Sequence, residues 1–451
     1  MENQTVSRET IFALASAQGR AGVAIIRMSG PDSARILKQL TKAKLPKPRL
    51  ASVRKLYDAQ GEKIDEALIL RFVGPASFTG EDMVEFHIHG GPSLVESLSE
   101  ALFTAGLRQA EAGEFTKRAF QNGKMDLTEA EGLADLIDAD TQGQRKQALR
   151  QMQGGLREIY ENWREKIIDS LAFVEGEIDF PDEDDVPDAL SQRAGPALAL
   201  LAQELEAILA DSQRGERTRH GVDIAIIGAP NAGKSSILNR LAKRDAAIVS
   251  AEAGTTRDIV EVHMEIASIP VRISDTAGLR ETKNEIEAEG VRRAKVRAAE
   301  SDLRIAIIDH QDPQGLDVLS ELQDGDFIVY NKADLSEEPS NAPESQNVSR
   351  ETFFVSAHTQ QGLGVLESAL KRTITARFGA NEQVGITRAR HVNCVKTALF
   401  SIKKAQKALL IAPELAGADL HQALHAIKEL AGETDIEAVL DKVFSSFCIG
   451  K

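Results

Sequence analysis

The chain has 451 residues, 42% of them hydrophobic, which at roughly 150 residues per domain supplies cores for about three domains and excludes a single small module. With 54 Lys and Arg against 69 Asp and Glu the net charge is -15, and such a field repels phosphate backbones except where basic residues are gathered locally, so a generic nucleic-acid coat is excluded. Two cysteines, Cys394 and Cys448, cannot staple a secreted fold, no amino-terminal run has signal-peptide flanks, and no run reaches the roughly 18 to 20 apolar residues of a membrane span, so a protein of the reducing cytoplasm is expected.

Residues 1–124 alternate short apolar runs with Gly and Pro, as in Gly22-Val23-Ala24-Ile25-Ile26-Arg27 and Ala67-Leu68-Ile69-Leu70-Arg71-Phe72-Val73, and predict a mixed α+β domain. Within it Glu85, His87 and His89 alternate with Val84, Phe86 and Ile88, so the three polar side chains share one face of a strand. His-x-His on a strand can present two metal ligands, but too few further ligands are identifiable, and a solvated or substrate-facing strand edge is the better reading. From residue 125 the spacing becomes helical. Ile159, Trp163, Ile167, Leu171, Val174 and Ile178 mark a long amphipathic helix ending before Pro181, and a second is expected through Ala197 to Ile208. Between them Asp182 to Asp185 lacks the alternating ligands and central Gly of a calcium loop and reads as a solvated stretch.

Residues 125–217 therefore form a first helical part, and residues 218–381 follow as β-rich runs separated by helical stretches, the signature of a parallel sheet with crossover helices. Over residues 382–451 helical periodicity returns with Val395, Leu399, Ile402 and Leu409, then Leu420, Leu424 and Ile427. The economical arrangement is one discontinuous helical domain with the α/β domain inserted into it. Arg292, Arg293, Lys295 and Arg297 make a basic helix inside the insert; a solvated face is the plainer reading and contact with RNA or a partner the sharper one.

The insert carries a nucleotide site in chain order. Val222-Asp223-Ile224-Ala225-Ile226-Ile227 leads into Gly228-Ala229-Pro230-Asn231-Ala232-Gly233-Lys234-Ser235, with Ser236 next, a P-loop in its required strand-to-helix context. Its glycines let backbone amides wrap the β-phosphate, Lys234 neutralises β/γ charge, and the Ser235 hydroxyl can ligate Mg2+. Three further motifs each follow an apolar run, as loops at the carboxyl edge of a parallel sheet do: Asp275-Thr276-Ala277-Gly278, Asn331-Lys332-Ala333-Asp334 and Ser356-Ala357-His358. Asp275 can hold the Mg2+ shell and the Gly278 amide can sense the γ-phosphate. The Asp334 carboxylate accepts from guanine N1-H and the exocyclic amine, a donor pair adenine lacks, so GTP is expected over ATP.

These four motifs resemble those of the translation-factor-like GTPases, which implies a Ras-like P-loop fold. Leu279 stands where Ras-like proteins carry the water-orienting glutamine, and the nucleotide-sensing loop reads Gly254-Thr255-Thr256-Arg257-Asp258, with Thr256 the natural second Mg2+ hydroxyl. An asparagine carbonyl at Asn231 can ligate a monovalent cation that supplies the charge of an arginine finger. With Ser77-Phe78-Thr79-Gly80-Glu81-Asp82 in the first domain and Phe447-Cys448-Ile449-Gly450-Lys451 at the end, the whole chain resembles the MnmE (TrmE) family of tRNA modification GTPases.

That resemblance implies K+ ligation by Asn231 with Ser250, Glu252 (through its backbone carbonyl) and Thr255, and a water-organising role for Glu287, which from sequence alone reads as a helix-start acid. It implies GTP contacts through Ser250, Thr255, Thr256 and the motifs above. It also implies a tetrahydrofolate-binding first domain, with Arg27, Glu85, Lys124 and Lys451 taking a 5-formyl- or methylene-tetrahydrofolate. Arg27 and Lys124 suit the glutamyl carboxylates or ring oxygens, and Glu85 the donor edge of a pterin. A homodimer, tRNA and an FAD-containing partner, MnmG, follow from the same resemblance; the chain has no dinucleotide fingerprint of its own. Cys448 lies in the position of a prenylation box, but Lys451 and the missing polybasic cluster argue against lipidation, leaving a nucleophile or an inert thiol, and the terminal motif favours a role at the tRNA-modification centre. The function expected is a K+-activated GTPase in wobble-uridine (U34) C5 carboxymethylaminomethyl modification; the alternative is a GTPase switch for ribosome or RNA assembly.

Overall fold

The structure is a computed structural model, and it describes residues 9–180, 189–244, 261–275, 296–311, 318–335, 350–379, 385–434, 437–445, 447, 449 and 450. The chain divides into two compact units, residues 1–134 with 425–451, and residues 135–424.

The first unit is built on strands β1 (Ile11–Leu14), β2 (Ala21–Ser29), β3 (Ser52–Tyr57), β4 (Lys63–Phe72), β5 (Met83–Gly90) and β6 (Arg108–Gln109), in the order β3-β4-β5-β2-β1-β6. All pairs are antiparallel except β1 with β6. Period-two alternation sends Ile26, Met28, Phe86 and Ile69 to one face, where they pack with Ile36 and Leu37 of the helix Ser33–Thr41 and Leu98 and Leu102 of the helix Pro92–Thr104. Arg27, Glu85 and His87 are left on the other face, beside a small cluster of Ile11, Ala13, Ala110, Phe115 and Phe78. The carboxyl-terminal segment belongs to this unit: Phe444 and Phe447 pack with Leu127 and Ala130, Ile449 bridges Ala112, and Gly450 lies so close to Leu14 that a Cβ there would stand 2.2 Å from its carbonyl oxygen.

In the second unit the helix Gly155–Asp179 buries Leu156, Tyr160, Trp163, Ile167, Leu171 and Val174. The periodicity holds, but Ile178 is exposed in the last turn. The following helix runs Gly195–His220, a full three turns beyond the expected Ile208, because its polar end is held from outside: Gln147 Nε2 donates to the Gly215 carbonyl at 3.0 Å and Gln144 Nε2 to that of Arg219 at 2.9 Å. Arg217 and Arg219 in its last turn offset the helix dipole. The chain then enters β7 (Val222–Ile227), β8 (Glu261–Ile266), β9 (Ile269–Asp275), β10 (Leu303–Asp309), β11 (Phe327–Asn331) and β12 (Glu351–Phe354), ordered β12-β11-β10-β7-β9-β8 and parallel except for the β8–β9 hairpin. Both faces of this sheet are covered, Val222, Ile224 and Ile226 packing on one side and Ala225 and Ile227 on the other. Returning from the sheet, the chain passes Ile386 against Gly215 and forms the helix Ala389–Ala408, which packs along Gly195–His220. The α/β domain is thus an insert in a discontinuous helical domain.

Candidate functional site

In the second unit the expected motifs converge on the carboxyl edge of the sheet. Directly after β7 the chain turns so sharply that Gly228 has φ +152°, and a Cβ there would lie 2.1 Å from the Ile307 carbonyl oxygen. Asn231 adopts φ 61°, a left-handed position asparagine tolerates, and is exposed, while Ala232 is buried. Lys234 opens the helix Lys234–Arg244 and is buried, with Nζ donating to the carbonyls of Gly228 and Ala229 at 2.7 Å each. Burial pushes its ammonium pKa down, with Asp275 acting in the opposite sense. A buried cation satisfied by loop carbonyls is what an entering phosphate needs opposite it. Ser235 donates to Asp275 Oδ2 at 2.6 Å, so a hydroxyl and a carboxylate from two motifs meet and form an oxygen set suited to a hard cation. Ser235 and Ser236 are exposed, Asp275 is buried.

Asn331 ends β11 and is the hub of the site. Its Nδ2 donates to the Ala232 carbonyl at 2.8 Å, and its Oδ1 accepts from the Ala357 amide at 3.2 Å, tying the P-loop to the Ser356 loop. The fit is close enough that a Cβ on Gly233 would stand 2.0 Å from Asn331 Nδ2. Ser356 is buried with Oγ accepting from the Thr359 amide at 3.0 Å, His358 and Asp334 are exposed, and Lys332 has φ 63°. Arg240 Nε donates to the Ala357 carbonyl at 3.1 Å, a further strut under the same loop.

One residue escaped the sequence reading. Asp309, the last residue of β10, pairs with Lys332. Burial pushes its carboxyl up, but the hydrogen bonds from Lys332 and the Gln311 amide outweigh that and hold it below the usual carboxylate range. The only hint in sequence was its place at the end of an apolar run, like the motifs around it. Ser250, Glu252, Thr255, Thr256, Thr276, Ala277, Gly278 and Glu287 lie outside the described residues.

In the first unit, Arg27 and Glu85 stand opposite each other on β2 and β5, and Arg27 donates to Glu85 Oε1 from Nε at 3.1 Å and from Nη2 at 3.0 Å. The guanidinium also lies 5.6 Å from the Phe78 ring centre and 5.8 Å from that of Phe115. Phe78 belongs to the loop between β4 and β5, and Lys124 Nζ donates to the Pro75 carbonyl of that loop at 3.0 Å, so both cations touch one loop. The same loop is anchored by Glu81, which accepts from Ser29 at 2.6 Å and from the buried Arg118 at 3.1 Å. The face divides at its histidines. His89 Nδ1 pairs with Asp65 at 2.9 Å, whereas His87 Nε2 lies 3.5 Å from Glu85 Oε2 and makes no hydrogen bond. No group of three or more His, Cys, Asp or Glu able to hold a metal occurs among the described residues. Cys448 and Lys451 lie outside them.

Residues 10–124 match the family described as "GTP-binding protein TrmE N-terminus", and residues 127–448 that described as "MnmE helical domain". The "tRNA modification GTPase MnmE" of Maricaulis maris is 51% identical over 98% of this chain and 99% of its own length. The proteins of that name from Caulobacter vibrioides and Hyphomonas neptunium are 47% and 48% identical, over 98% and 99% of this chain and 100% of their own length. With the first domain and the helical domain both matched, a P-loop domain inside the helical match and full-length relatives at this identity, the chain belongs to the MnmE family of tRNA modification GTPases.

Proposed function

We propose that this chain is the GTP-hydrolysing subunit of an enzyme that places a carboxymethylaminomethyl-type group on C5 of the wobble uridine (U34) of tRNA, acting in the cytoplasm as a homodimer with an FAD-containing MnmG partner. The observation that carries the reading is the Arg27–Glu85 pair set against two aromatic rings, on a sheet face that a pure RNA-assembly switch leaves without a purpose.

At the nucleotide, Lys234 takes β/γ charge and Asn331 holds the P-loop and the Ser356 loop in one geometry, while Asp334 selects guanine. Ser235 with Thr256 would hold Mg2+, with Asp275 in its shell. Asn231, Ser250, Glu252 and Thr255 would hold K+. These ions supply the positive charge that phosphoryl transfer needs on its oxygens, and Glu287 orients the attacking water in place of the glutamine that Leu279 replaces. In the first domain Glu85 accepts from the donor edge of a reduced pterin, and Arg27, Lys124 and Lys451 take carboxylates or ring oxygens of a methylene- or 5-formyl-tetrahydrofolate.

The test is mass spectrometry of wobble nucleosides from cells lacking the protein and from cells complemented with wild type or Cys448→Ser. Loss of the C5-modified uridine that wild type alone restores supports the modification role and a part for Cys448; an unchanged nucleoside profile moves the reading to the assembly switch. Potassium activation has its own check, since equal GTP turnover in K+ and Na+ buffers would sink it.

A further inference from the structure

Building on the folate reading, we propose that His87 is a positioning residue for Glu85: its Nε2-H donates to the second carboxylate oxygen and fixes the plane in which Glu85 meets a reduced pterin. Arg27 spends both of its hydrogen bonds to Glu85 on Oε1. Among the described residues Oε2 makes no hydrogen bond, and His87 Nε2 faces it at 3.5 Å. A carboxylate anchored through one oxygen can turn about that anchor. To accept two adjacent N-H donors of a pterin it must present both oxygens in one plane, so a hold on Oε2 is required.

His87 is placed for that task. Its strand alternation puts it on the Glu85 face, two residues along β5, and its cross-strand neighbours are Ile25 on β2 and Leu68 on β4, neither able to hydrogen-bond through its side chain. Nε2 is buried and lacks a partner, a state that costs stability unless a partner arrives. His89, one alternation further, is committed to Asp65, so the unpaired atom is particular to His87 rather than general to histidines on this strand. The gap to Oε2 is a few tenths of an ångström beyond a hydrogen bond, a distance a small turn of either side chain closes when a ligand engages the carboxylate.

The experiment is calorimetric titration of 5-formyltetrahydrofolate into the full-length protein as wild type, His87→Ala, His87→Asn and His87→Gln, with circular dichroism and amide exchange across residues 9–134 of each variant as the check on folding. A glutamine carries an N-H the same number of bonds from Cβ as His Nε2, whereas an asparagine stops one bond short. His87→Ala and His87→Asn are expected to weaken folate binding about tenfold, roughly one charge-assisted hydrogen bond, and His87→Gln to stay within about twofold of wild type. Equal affinities across all four proteins, or equal losses for Asn and Gln, overturn the proposal and leave the folate reading standing. Wild type that does not bind the ligand overturns both.

Discussion

Replacing Asn331 with Ala tests whether the nucleotide site is held together by one side chain. The substitution removes the bond from Nδ2 to the Ala232 carbonyl and the bond from the Ala357 amide to Oδ1, at a residue only 3% exposed. Each such bond is worth about 1 kcal/mol net, and each backbone group left without a partner in a buried position costs about 1–3 kcal/mol, so the pair sets a loss of about 2–4 kcal/mol. Neither bond touches a position specific to a third phosphate; both set the spacing of the loops that flank the β-phosphate and the base. The loss is therefore expected equally for GDP and GTP, as a fall of roughly 30-fold or more in affinity for each. Titration of the full-length protein with fluorescent GDP and a non-hydrolysable GTP analogue reads both, with thermal melts in the absence of nucleotide to show how much of the loss falls on the fold. Affinities within threefold of wild type, or a loss ten times larger for the triphosphate than for the diphosphate, would refute the role assigned to Asn331.

Asp326→Ala should destabilise the inserted domain by about 3–5 kcal/mol, because it strands the buried guanidinium of Arg304 and removes the acceptor for the amides of Arg304 and Gln323; a urea midpoint equivalent to less than about 1 kcal/mol of change would contradict this. In the first domain burial pushes the Glu114 carboxyl up, but hydrogen bonds from Arg108, the Glu111 amide and Arg118 together outweigh it and hold the pKa at about 2. A folded-state pKa below the unfolded one stabilises fully above about 4.5 and is lost as pH falls toward about 2, so about 1–2 kcal/mol, discounted for solvent screening, should disappear across that window in urea titrations and be missing from Glu114→Gln at every pH. Gly143→Ala should push the β8–β9 turn off the helix Gln142–Met152, since a Cβ there would stand 2.2 Å from the Ser268 carbonyl oxygen; faster exchange of the backbone amide at position 143, which in the unsubstituted chain donates to Ser268 at 3.1 Å, is the readout, and unchanged exchange would show that the contact yields without cost.

What could be read from the sequence was what is local. A strand covered on both faces must be an apolar run, and the loop after it must carry the polar residues, so Lys234, Asp275, Asn331 and Ser356 announced themselves by position as well as by type. Alternation likewise put Glu85 and His87 on the face of Arg27. What depends on which strands become neighbours was hidden. Asp309 reaches Lys332 because β10 and β11 pair with Asp309 opposite Asn331, a register that no local pattern encodes. His89 left the expected group of three because Asp65, on the neighbouring strand β4, takes it. The helix Gly195–His220 outran its apolar periodicity for the same kind of reason, its polar turns being held by Gln144 and Gln147 of another helix.

The two edges of the inserted sheet have different tasks, and this bears on how hydrolysis could be felt by the helices. The described nucleotide-site motifs and Asp309 stand at or beyond the carboxyl ends of β7, β9, β10, β11 and β12. The helical residues grip the other edge: Arg217 pairs with Asp302 at 2.8 Å, Asp302 accepts from the Asp223 amide at the start of β7, and Thr141 and Gly143 both donate to the Ser268 carbonyl just before β9. Strand β9 alone joins a described site residue, Asp275, to a turn held by a helix amino terminus, over seven residues or roughly 20 Å. It is bonded to β7 on one side and β8 on the other, so it cannot buckle without breaking two ladders at once. Two strands thus tie the site to the helices: β7 leads from the helix Gly195–His220 straight into the P-loop, and β9 joins the Ser268 turn, held by Thr141 and Gly143, to Asp275.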